Sequence, residues 1–132
     1  MNNAPDSAEL LRVAQKVLRE RLMPGIAEDQ RYEALMVANA MAIAARELKV
    51  GESDLRQELR MLTQLYGDTT VGESGHSTKE KVASLNKRLA RDIRSGILDG
   101  ACAQGVRALL KSQVTARLRV SNPKYLKAIG LD

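Results

Sequence analysis

Apolar residues recur every three or four positions along most of the chain, which is the spacing of one face of an α-helix. The first such segment, residues 6–22, begins with the capping-box pair Asp6 and Glu9 and ends before Pro24 and Gly25. We expect one helix here, with a continuous apolar stripe. The stripe consists of Leu10, Val13, Ala14, Val17, Leu18 and Leu22.

The second segment, residues 29–50, is apolar on nearly every side across its middle. That middle, positions 34–45, has the sequence ALMVANAMAIAA. A helix that is apolar all round is normally surrounded by other helices, so we expect this one at the centre of the fold. Gly51 is predicted to end it, and Ser53 to cap a third, amphipathic helix that ends at Gly67.

One polar side chain interrupts that apolar segment. Asn39 lies at helical spacing on the stripe formed by Tyr32, Leu35, Met36 and Ile43. A buried amide without a hydrogen-bond partner would cost about 1–3 kcal/mol, so we expect Asn39 to be buried and paired. Two interpretations stay open: a core amide that fixes the register of the helix, or a contact with a ligand or a partner.

Capping residues mark three further helices, two long and one short. Their predicted starts are Ser77 with Glu80, then Asp99, then Asn122 before Pro123. Gly96 follows the fourth helix of the chain, and Gly130 follows the last. The stretch before the fourth helix, residues 67–77, is rich in glycine and small polar residues, so it is predicted to be a mobile surface loop.

These elements predict a fold class and a domain organisation. The fold class is all-α, a compact bundle of about five helices with a short C-terminal helix. Composition agrees, because Phe and Trp are absent and only three tyrosines occur, so the core must be built from aliphatic side chains and alanine. We expect residues 1–132 to form a single helical domain, since the parts on either side of the loop are too small to be stable alone.

The positive charge is concentrated near the C-terminus. The chain carries 21 Lys and Arg against 16 Asp and Glu, a net charge of +5. Residues 1–99 balance, whereas residues 100–131 contain basic residues and no acidic one. Such a segment is either a solvated face or a surface for an anionic partner. The candidate contact residues are Arg107, Lys111, Arg117, Arg119, Lys124 and Lys127, with Tyr125 as an aromatic anchor beside them.

Side chains that could carry catalysis are few. His76 is the only histidine and lies in the glycine-rich loop, and Cys102 is the only cysteine, without a base adjacent in sequence. One histidine and one cysteine do not make a zinc site of the usual kind. The loop sequence GDTTVGESG lacks the Gly-Lys-Ser/Thr ending of a phosphate-binding loop and follows a helix instead of a strand. The sequence therefore predicts no catalytic residue, no metal site and no cofactor, and hence a binding role.

Nucleic acid and membrane are weaker partner classes for this composition. Electrostatics alone would support salt-sensitive nucleic-acid binding, but aromatic residues for base stacking are nearly absent and no zinc or RNP motif occurs. A nucleic-acid-binding protein stays as an alternative, as does an oligomeric regulatory protein in which a second copy, as in a homodimer, covers the apolar helix. No stretch approaches the roughly 18 uninterrupted apolar residues of a membrane span. Without a signal peptide, the expected compartment is the cytoplasm.

Three strings carry a family resemblance that spans nearly the whole chain. They are RYEALMVANAMAIAARELKVGE at residues 31–52, DIRSGILD at 92–99 and SNPKYL at 121–126. In these strings the chain resembles a family of small bacterial proteins known only as a domain of unknown function. Members are typically encoded beside an aminoglycoside-phosphotransferase-like kinase and an acyl-CoA dehydrogenase. One branch resembles the small accessory subunit of the hydroxyacyl-CoA kinase used in levulinate and related hydroxy-acid catabolism.

The resemblance implies a partner protein and no activity of the chain itself. It suggests an accessory subunit that docks on such a kinase and stabilises its active conformation or its acyl-CoA pocket, without supplying a catalytic group. The C-terminal cations would then face an acidic enzyme surface or the phosphates of coenzyme A. The resemblance transfers no site residue to this chain.

Overall fold

The computed structural model describes residues 3–67 and 75–131. Over these ranges it contains five α-helices and no strand, which confirms the predicted all-α fold. The helices are α1 (Ser7–Val17), α2 (Arg31–Tyr66), α3 (Thr78–Ser95), α4 (Ala103–Ser121) and α5 (Pro123–Ala128). A π-helical turn, Leu18–Leu22, continues α1, and 3-10 turns occupy Met23–Gly25, Glu28–Gln30 and Gly100–Cys102.

Helix α2 is much longer than the sequence pattern indicates. It continues through Gly51, the predicted stop, and through Ser53, the predicted cap of a separate helix, so the prediction of two helices here is wrong. Glycine in a helix interior costs only about 1 kcal/mol relative to alanine. Good helix formers on both sides of Gly51 outweigh that cost, because no proline follows to block the next turn.

The chain forms two compact units, Met1–Gly51 (unit 1) and Glu52–Asp132 (unit 2). The boundary falls inside α2, so the first part of this helix belongs to unit 1 and the second part to unit 2. Most of the mobile loop predicted at residues 67–77 lies outside the described residues, and the boundary between the units is not at this loop.

Unit 1 is packed through small side chains. Helix α1 lies beside the first part of α2, and Gln15 and Ala42 line one groove between these two helices. The buried side chains of the unit are Ala8, Ala34, Ala38 and Ala45. Several larger apolar side chains of both helices are exposed, Leu10 and Met36 among them, and in the described residues of unit 1 α1 covers only one side of α2. The expectation that the apolar middle of α2 is surrounded by other helices is wrong for the described residues.

Unit 2 has an aliphatic core formed by the second part of α2, α3, the turn after α3, and α4. Its buried members are Leu62, Val82, Leu85, Leu89, Leu98, Val106 and Leu109. Half-buried side chains, Tyr66 among them, pack against this core. Full burial of a leucine stabilises a fold by about 1.5–3 kcal/mol relative to exposure. Most of the hydrophobic stabilisation of the chain therefore comes from unit 2.

The predicted capping boxes are confirmed at both places. In α1, the Glu9 backbone N–H donates to Asp6 Oδ1 at 2.8 Å. In α3, the Glu80 backbone N–H donates to Ser77 Oγ at 3.2 Å, and the Glu80 carboxylate accepts the Ser77 backbone N–H at 2.8 Å. That second hydrogen bond favours the charged carboxylate, so it lowers the pKa of Glu80. Helix α3 ends at Gly96, whose φ of 79° is left-handed.

The two later helix starts differ from each other. Asn122 caps α5 as predicted, because its Oδ1 accepts the Tyr125 backbone N–H at 3.1 Å. Asp99 does not cap α4. It precedes the 3-10 turn at Gly100–Cys102, and its side chain makes no capping hydrogen bond. The inserted turn moves the start of α4 to Ala103, four residues beyond the predicted cap.

Candidate functional site

The predicted basic contact residues are exposed on α4 and α5, but they do not form one patch. Arg107 and Lys111 are one turn apart on α4 and share a face. Arg117 and Arg119 are two residues apart, which places them about 200° apart around the helix. The remaining candidates lie on α5: Lys124, Tyr125 and Lys127 are all exposed. The cations thus surround the two helices and do not converge on a single anion.

The division of charge follows the division of the fold. Unit 1 contains seven basic and seven acidic residues, so its net charge is zero. Unit 2 contains 14 basic and nine acidic residues, and 14 − 9 gives the whole excess of +5. The net positive charge of the chain is therefore carried by unit 2.

A groove between the second part of α2 and α4 contains two of the predicted candidates. Its volume is about 350 Å³, and Lys111 and Arg119 line it together with Asp54 and Glu58. Arg119 Nη1 lies 3.8 Å from Asp54 Oδ1. This groove therefore carries both signs of charge, and the positive charge of Arg119 is partly balanced by its neighbour.

A polar cluster that the sequence analysis missed joins three helices of unit 2. Glu58 Oε1, on α2, accepts hydrogen bonds from Asn86 Nδ2 on α3 at 2.8 Å and from Gln113 Nε2 on α4 at 2.9 Å. Gln113 Nε2 also donates to Asn86 Oδ1 at 2.8 Å. All three side chains are half-buried. The cluster fixes the three helices against one another, because each amide fits only one register of its neighbours.

A sequence signal for this cluster exists. Asn86 comes four residues after Val82 and three before Leu89, and both of these are buried. Gln113 comes four residues after the buried Leu109. A polar amide at the spacing of an apolar stripe indicates an internal hydrogen bond.

A second polar cluster ties the end of α2 to α3. The Tyr66 hydroxyl donates to Asp92 Oδ2 at 2.8 Å, and Asp92 is buried. Arg88 lies over the Tyr66 ring at 4.1 Å and reaches Asp92 Oδ2 at 3.6 Å. Burial of the ring, and then the hydrogen bond and charge of Asp92, raise the pKa of Tyr66 to about 12. The cluster stabilises the packing of α2 against α3, since the buried Asp92 carboxylate is paired with Tyr66 and Arg88.

The predicted burial of Asn39 is wrong. Asn39 is exposed on α2, and its Oδ1 accepts a hydrogen bond from Arg19 Nη2 at 3.1 Å. The reason is that α1 packs on the alanine side of α2, which turns the stripe containing Asn39 outward. The expectation that Asn39 has a polar partner is confirmed, and that partner is a residue of the π-helical turn.

Unit 1 has exposed apolar side chains on α1 and on the first part of α2. On α2 the exposed fractions are 72% for Tyr32, 38% for Leu35 and 54% for Met36. With Asn39 and the half-buried Ile43, these residues form one side of the helix, which we call the α2 stripe. A further exposed stripe on α1 consists of Leu10, Val13 and Val17. Apolar side chains grouped in this way are typical of interaction surfaces.

The two residues considered for catalysis lie at different helix starts. His76 is exposed just before the cap of α3, and Cys102 is exposed in the turn before α4. In the part of the chain that the structure describes, no group of three His, Cys, Asp or Glu side chains is arranged to hold a metal ion. Over the same residues, no helix has the length and apolar character needed to cross a membrane.

Comparison with known proteins gives a family and no activity. Residues 24–125 match the model of a domain of unknown function, DUF6285. No curated protein and no solved structure matches the chain significantly. The match includes the α2 stripe, α3 and α4, and it leaves α1 outside. Since more than three quarters of the sequence is matched, the chain belongs to the DUF6285 family.

Proposed function

We propose that this chain is a cytoplasmic, non-catalytic accessory subunit of an aminoglycoside-phosphotransferase-like kinase that acts on a hydroxyacyl-CoA in acid catabolism. The kinase and its substrate come from the sequence resemblance described above. The chain binds the enzyme and supports its active conformation or its acyl-CoA pocket. It contributes contacts to the complex, and the reacting groups belong to the enzyme.

The observation that carries this proposal is the position of the charge excess. All of the +5 belongs to unit 2. The six C-terminal cations are exposed and hydrated, and one of them, Arg119, is partly balanced by Asp54 at 3.8 Å. An acidic protein surface, or the phosphates of a bound coenzyme A, is the complement of such a unit.

The arrangement of the cations indicates how they act. Because they surround α4 and α5, they provide a broad positive potential and do not form a bidentate site for one phosphate. A potential of this kind accelerates the encounter of two proteins and loses its effect as salt screens it. The specific contacts are then made by less charged groups, for which Tyr125 on α5, half exposed, is the best placed candidate.

A binding experiment with matched charge variants tests the proposal. The chain is co-expressed with the kinase encoded beside it, and the affinity of the purified pair is measured at low and high salt. We expect Lys124→Glu with Lys127→Glu to raise the Kd about tenfold or more at low salt, which corresponds to about 1.4 kcal/mol. The control, Lys16→Glu with Lys49→Glu, makes the same change of net charge on exposed residues of unit 1.

Three results would contradict the proposal. One is the absence of any complex, and another is an equal loss of affinity in the α5 pair and the unit 1 pair. The third is tight retention of the chain on duplex DNA with a steep salt dependence, which would favour the nucleic-acid alternative.

A further inference from the structure

We infer that the groove between α1 and the first part of α2 binds a diphosphate group, which Arg12, Arg46 and Lys49 hold. The groove lies within unit 1, so the inference goes beyond the proposed kinase contact, which belongs to unit 2. It follows from the sign of the charges around the groove, from the spacing of the side chains on the two helices, and from the volume between them.

The first step is that the groove has three positive side chains and no described acidic one. Its lining consists of Arg12, Gln15, Ala42, Ala45, Arg46 and Lys49. In the part of the chain that the structure describes, neither Arg12 nor Lys49 forms an ion pair. Unit 1 as a whole is neutral, so three cations around one groove are a local concentration of positive charge. A small anion is its electrostatic complement.

The acidic residues nearest in sequence do not line the groove. Glu9 precedes Arg12 by three residues, but its carboxylate accepts the Asp6 backbone N–H at 2.9 Å in the capping box. On α2, Glu47 follows Arg46 directly, which places it about 100° further around the helix. The groove therefore keeps its positive character although acidic residues occur on both helices.

The second step is that each helix presents two polar side chains to the groove at neighbouring positions. On α1, Arg12 and Gln15 are three residues apart, so they are adjacent on one face of the helix. On α2, Arg46 and Lys49 have the same spacing. Hydrogen-bond donors therefore flank the groove from both sides. Between them lies the buried Ala45, whose small side chain leaves room for a ligand.

The third step is that these donors fit the oxygens of phosphate groups. A guanidinium pairs bidentately with phosphate, and an ammonium and a carboxamide N–H add single donors. Three cations balance roughly three negative charges, as a diphosphate carries near neutral pH, whereas one phosphate group carries about 1.5–2. The groove has a volume of about 290 Å³, at the lower end of the range for ligand pockets. This volume suits a diphosphate, either free or as one group of a larger ligand.

The exposure of the cations limits the expected affinity. Arg12 and Lys49 are exposed and Arg46 is half-buried, so water and salt screen their charges. We expect a Kd for diphosphate on the order of 0.1 mM at low salt, which rises as salt is added.

Calorimetric titration of the full chain with inorganic pyrophosphate at low salt provides the first test. We expect one site per chain, with pyrophosphate bound at least about tenfold more tightly than orthophosphate. Arg12→Ala with Lys49→Ala should raise the Kd for pyrophosphate about tenfold or more. The matched control, Arg21→Ala with Arg31→Ala, removes the same charge from exposed residues of unit 1 outside the groove. It should change the Kd less than about twofold.

Three results would overturn the inference: no binding of pyrophosphate, equal affinity for orthophosphate, or an equal loss in the two double variants. ADP distinguishes the two sources of a diphosphate. Tighter binding of ADP than of pyrophosphate would support a nucleotide ligand, and weaker binding would support the free anion. No kinase is present, so the outcome is independent of the proposed function.

Nuclear magnetic resonance gives a second test that requires no variant to fold. On addition of pyrophosphate to the wild-type chain, we expect the resonances of the Gln15 side-chain amide and of the Arg12 Nε–H to shift. The side-chain amide of Gln64, exposed on the second part of α2, should not move. Shifts confined to Arg117 and Arg119 would show that the cations of α4 bind the anion, and would overturn the inference.

Discussion

At the scale of single residues, the structure depends on two half-buried polar clusters in unit 2. The cluster of Glu58, Asn86 and Gln113 places one charged acceptor and two amides between three helices. If one member is removed, the others keep the cost of their burial and lose their partner.

We therefore expect Asn86→Ala to lower the free energy of unfolding by about 1–3 kcal/mol. Denaturant unfolding followed by circular dichroism measures the change. Gln64→Ala is the control, because this exposed amide lies on α2 outside the core, and a surface substitution changes stability by less than about 0.5 kcal/mol. Equal effects of the two substitutions would show that the cluster does not stabilise unit 2.

The hydrogen bond between Tyr66 and Asp92 predicts that the free energy of unfolding depends on pH in the alkaline range. In the folded chain the pKa of Tyr66 is raised from 10.0 to about 12, mainly by burial. The folded state therefore holds the phenolic proton more tightly than the unfolded state does, and this stabilisation is complete below pH 10. It is lost as the pH rises from 10 to about 12.

Tyr66→Phe removes both the hydrogen bond and this titration. We expect it to cost about 1–2 kcal/mol near neutral pH and to reduce the loss of stability above pH 10. Unfolding free energies measured from pH 7 to 11.5 for the wild type and the variant test this. The exposed Tyr125→Phe should leave the profile unchanged. Parallel profiles of the wild type and Tyr66→Phe would contradict the assignment.

Two asparagines show what sequence reasoning can resolve at this scale. Asn39 and Asn86 both lie on apolar helical stripes, and both have a polar partner in the structure. Asn86 is half-buried in a cluster of three helices, whereas Asn39 is exposed. Periodicity identifies a polar residue on an apolar face but not which face a neighbouring helix covers, because α2 is apolar on several faces.

At the scale of helices, α2 is the element that the sequence describes least well. Gly51 lies in its interior with a helical backbone, and a Cβ atom there would meet only Glu47 Cγ, at an ordinary distance of 3.5 Å. Glycine at such a position lowers stability chiefly through the freedom it gives the unfolded chain.

We expect Gly51→Ala to raise the free energy of unfolding by about 0.5–1 kcal/mol. Gly96→Ala provides the opposite control. Its φ of 79° is left-handed, and the new Cβ would lie 3.3 Å from Asp99 Oδ2, so this substitution should destabilise α3. Thermal unfolding of the two variants measures both effects. Destabilisation by Gly51→Ala would mean that α2 is interrupted there, as the sequence pattern indicates.

Some helix boundaries are decided by hydrogen bonds between neighbouring residues, whereas others depend on a longer stretch of the chain. The boxes at Asp6 and Ser77 and the stop at Gly96 are confirmed, because each is decided by hydrogen bonds within a few residues. The predicted stop at Gly51 is wrong, because good helix formers on both sides let α2 continue through it. The predicted cap at Asp99 is wrong, because a 3-10 turn separates this residue from α4. The all-α class follows from periodicity over many residues, so errors at single boundaries leave it intact.

At the scale of the whole molecule, the exposed apolar stripe and the excess of cations belong to different units. The α2 stripe lies in the neutral unit 1, and the cations of α4 and α5 lie in unit 2. We therefore expect Lys124→Glu with Lys127→Glu, in unit 2, to weaken kinase binding more than Lys16→Glu with Lys49→Glu, in unit 1.

The candidate surfaces were predictable to different degrees. The excess of cations after residue 100 follows directly from composition, and the exposure of these side chains agrees with it. Their distribution around α4 also follows from helix geometry, since Arg117 and Arg119 are two residues apart. The division into two units was not predictable, because it depends on which alanines α1 packs against and on the continuity of α2 through Gly51.

The most direct test of the central claim, that this chain acts through its contacts, is the initial rate of the neighbouring kinase as purified chain is added. We expect a saturable increase in rate, with a half-saturating concentration about tenfold higher for Lys124→Glu with Lys127→Glu. We also expect the same maximal rate for His76→Ala and Cys102→Ala as for the wild type. A kinase rate that is independent of the chain, or a maximal rate that depends on His76 or Cys102, would contradict a role through contacts alone.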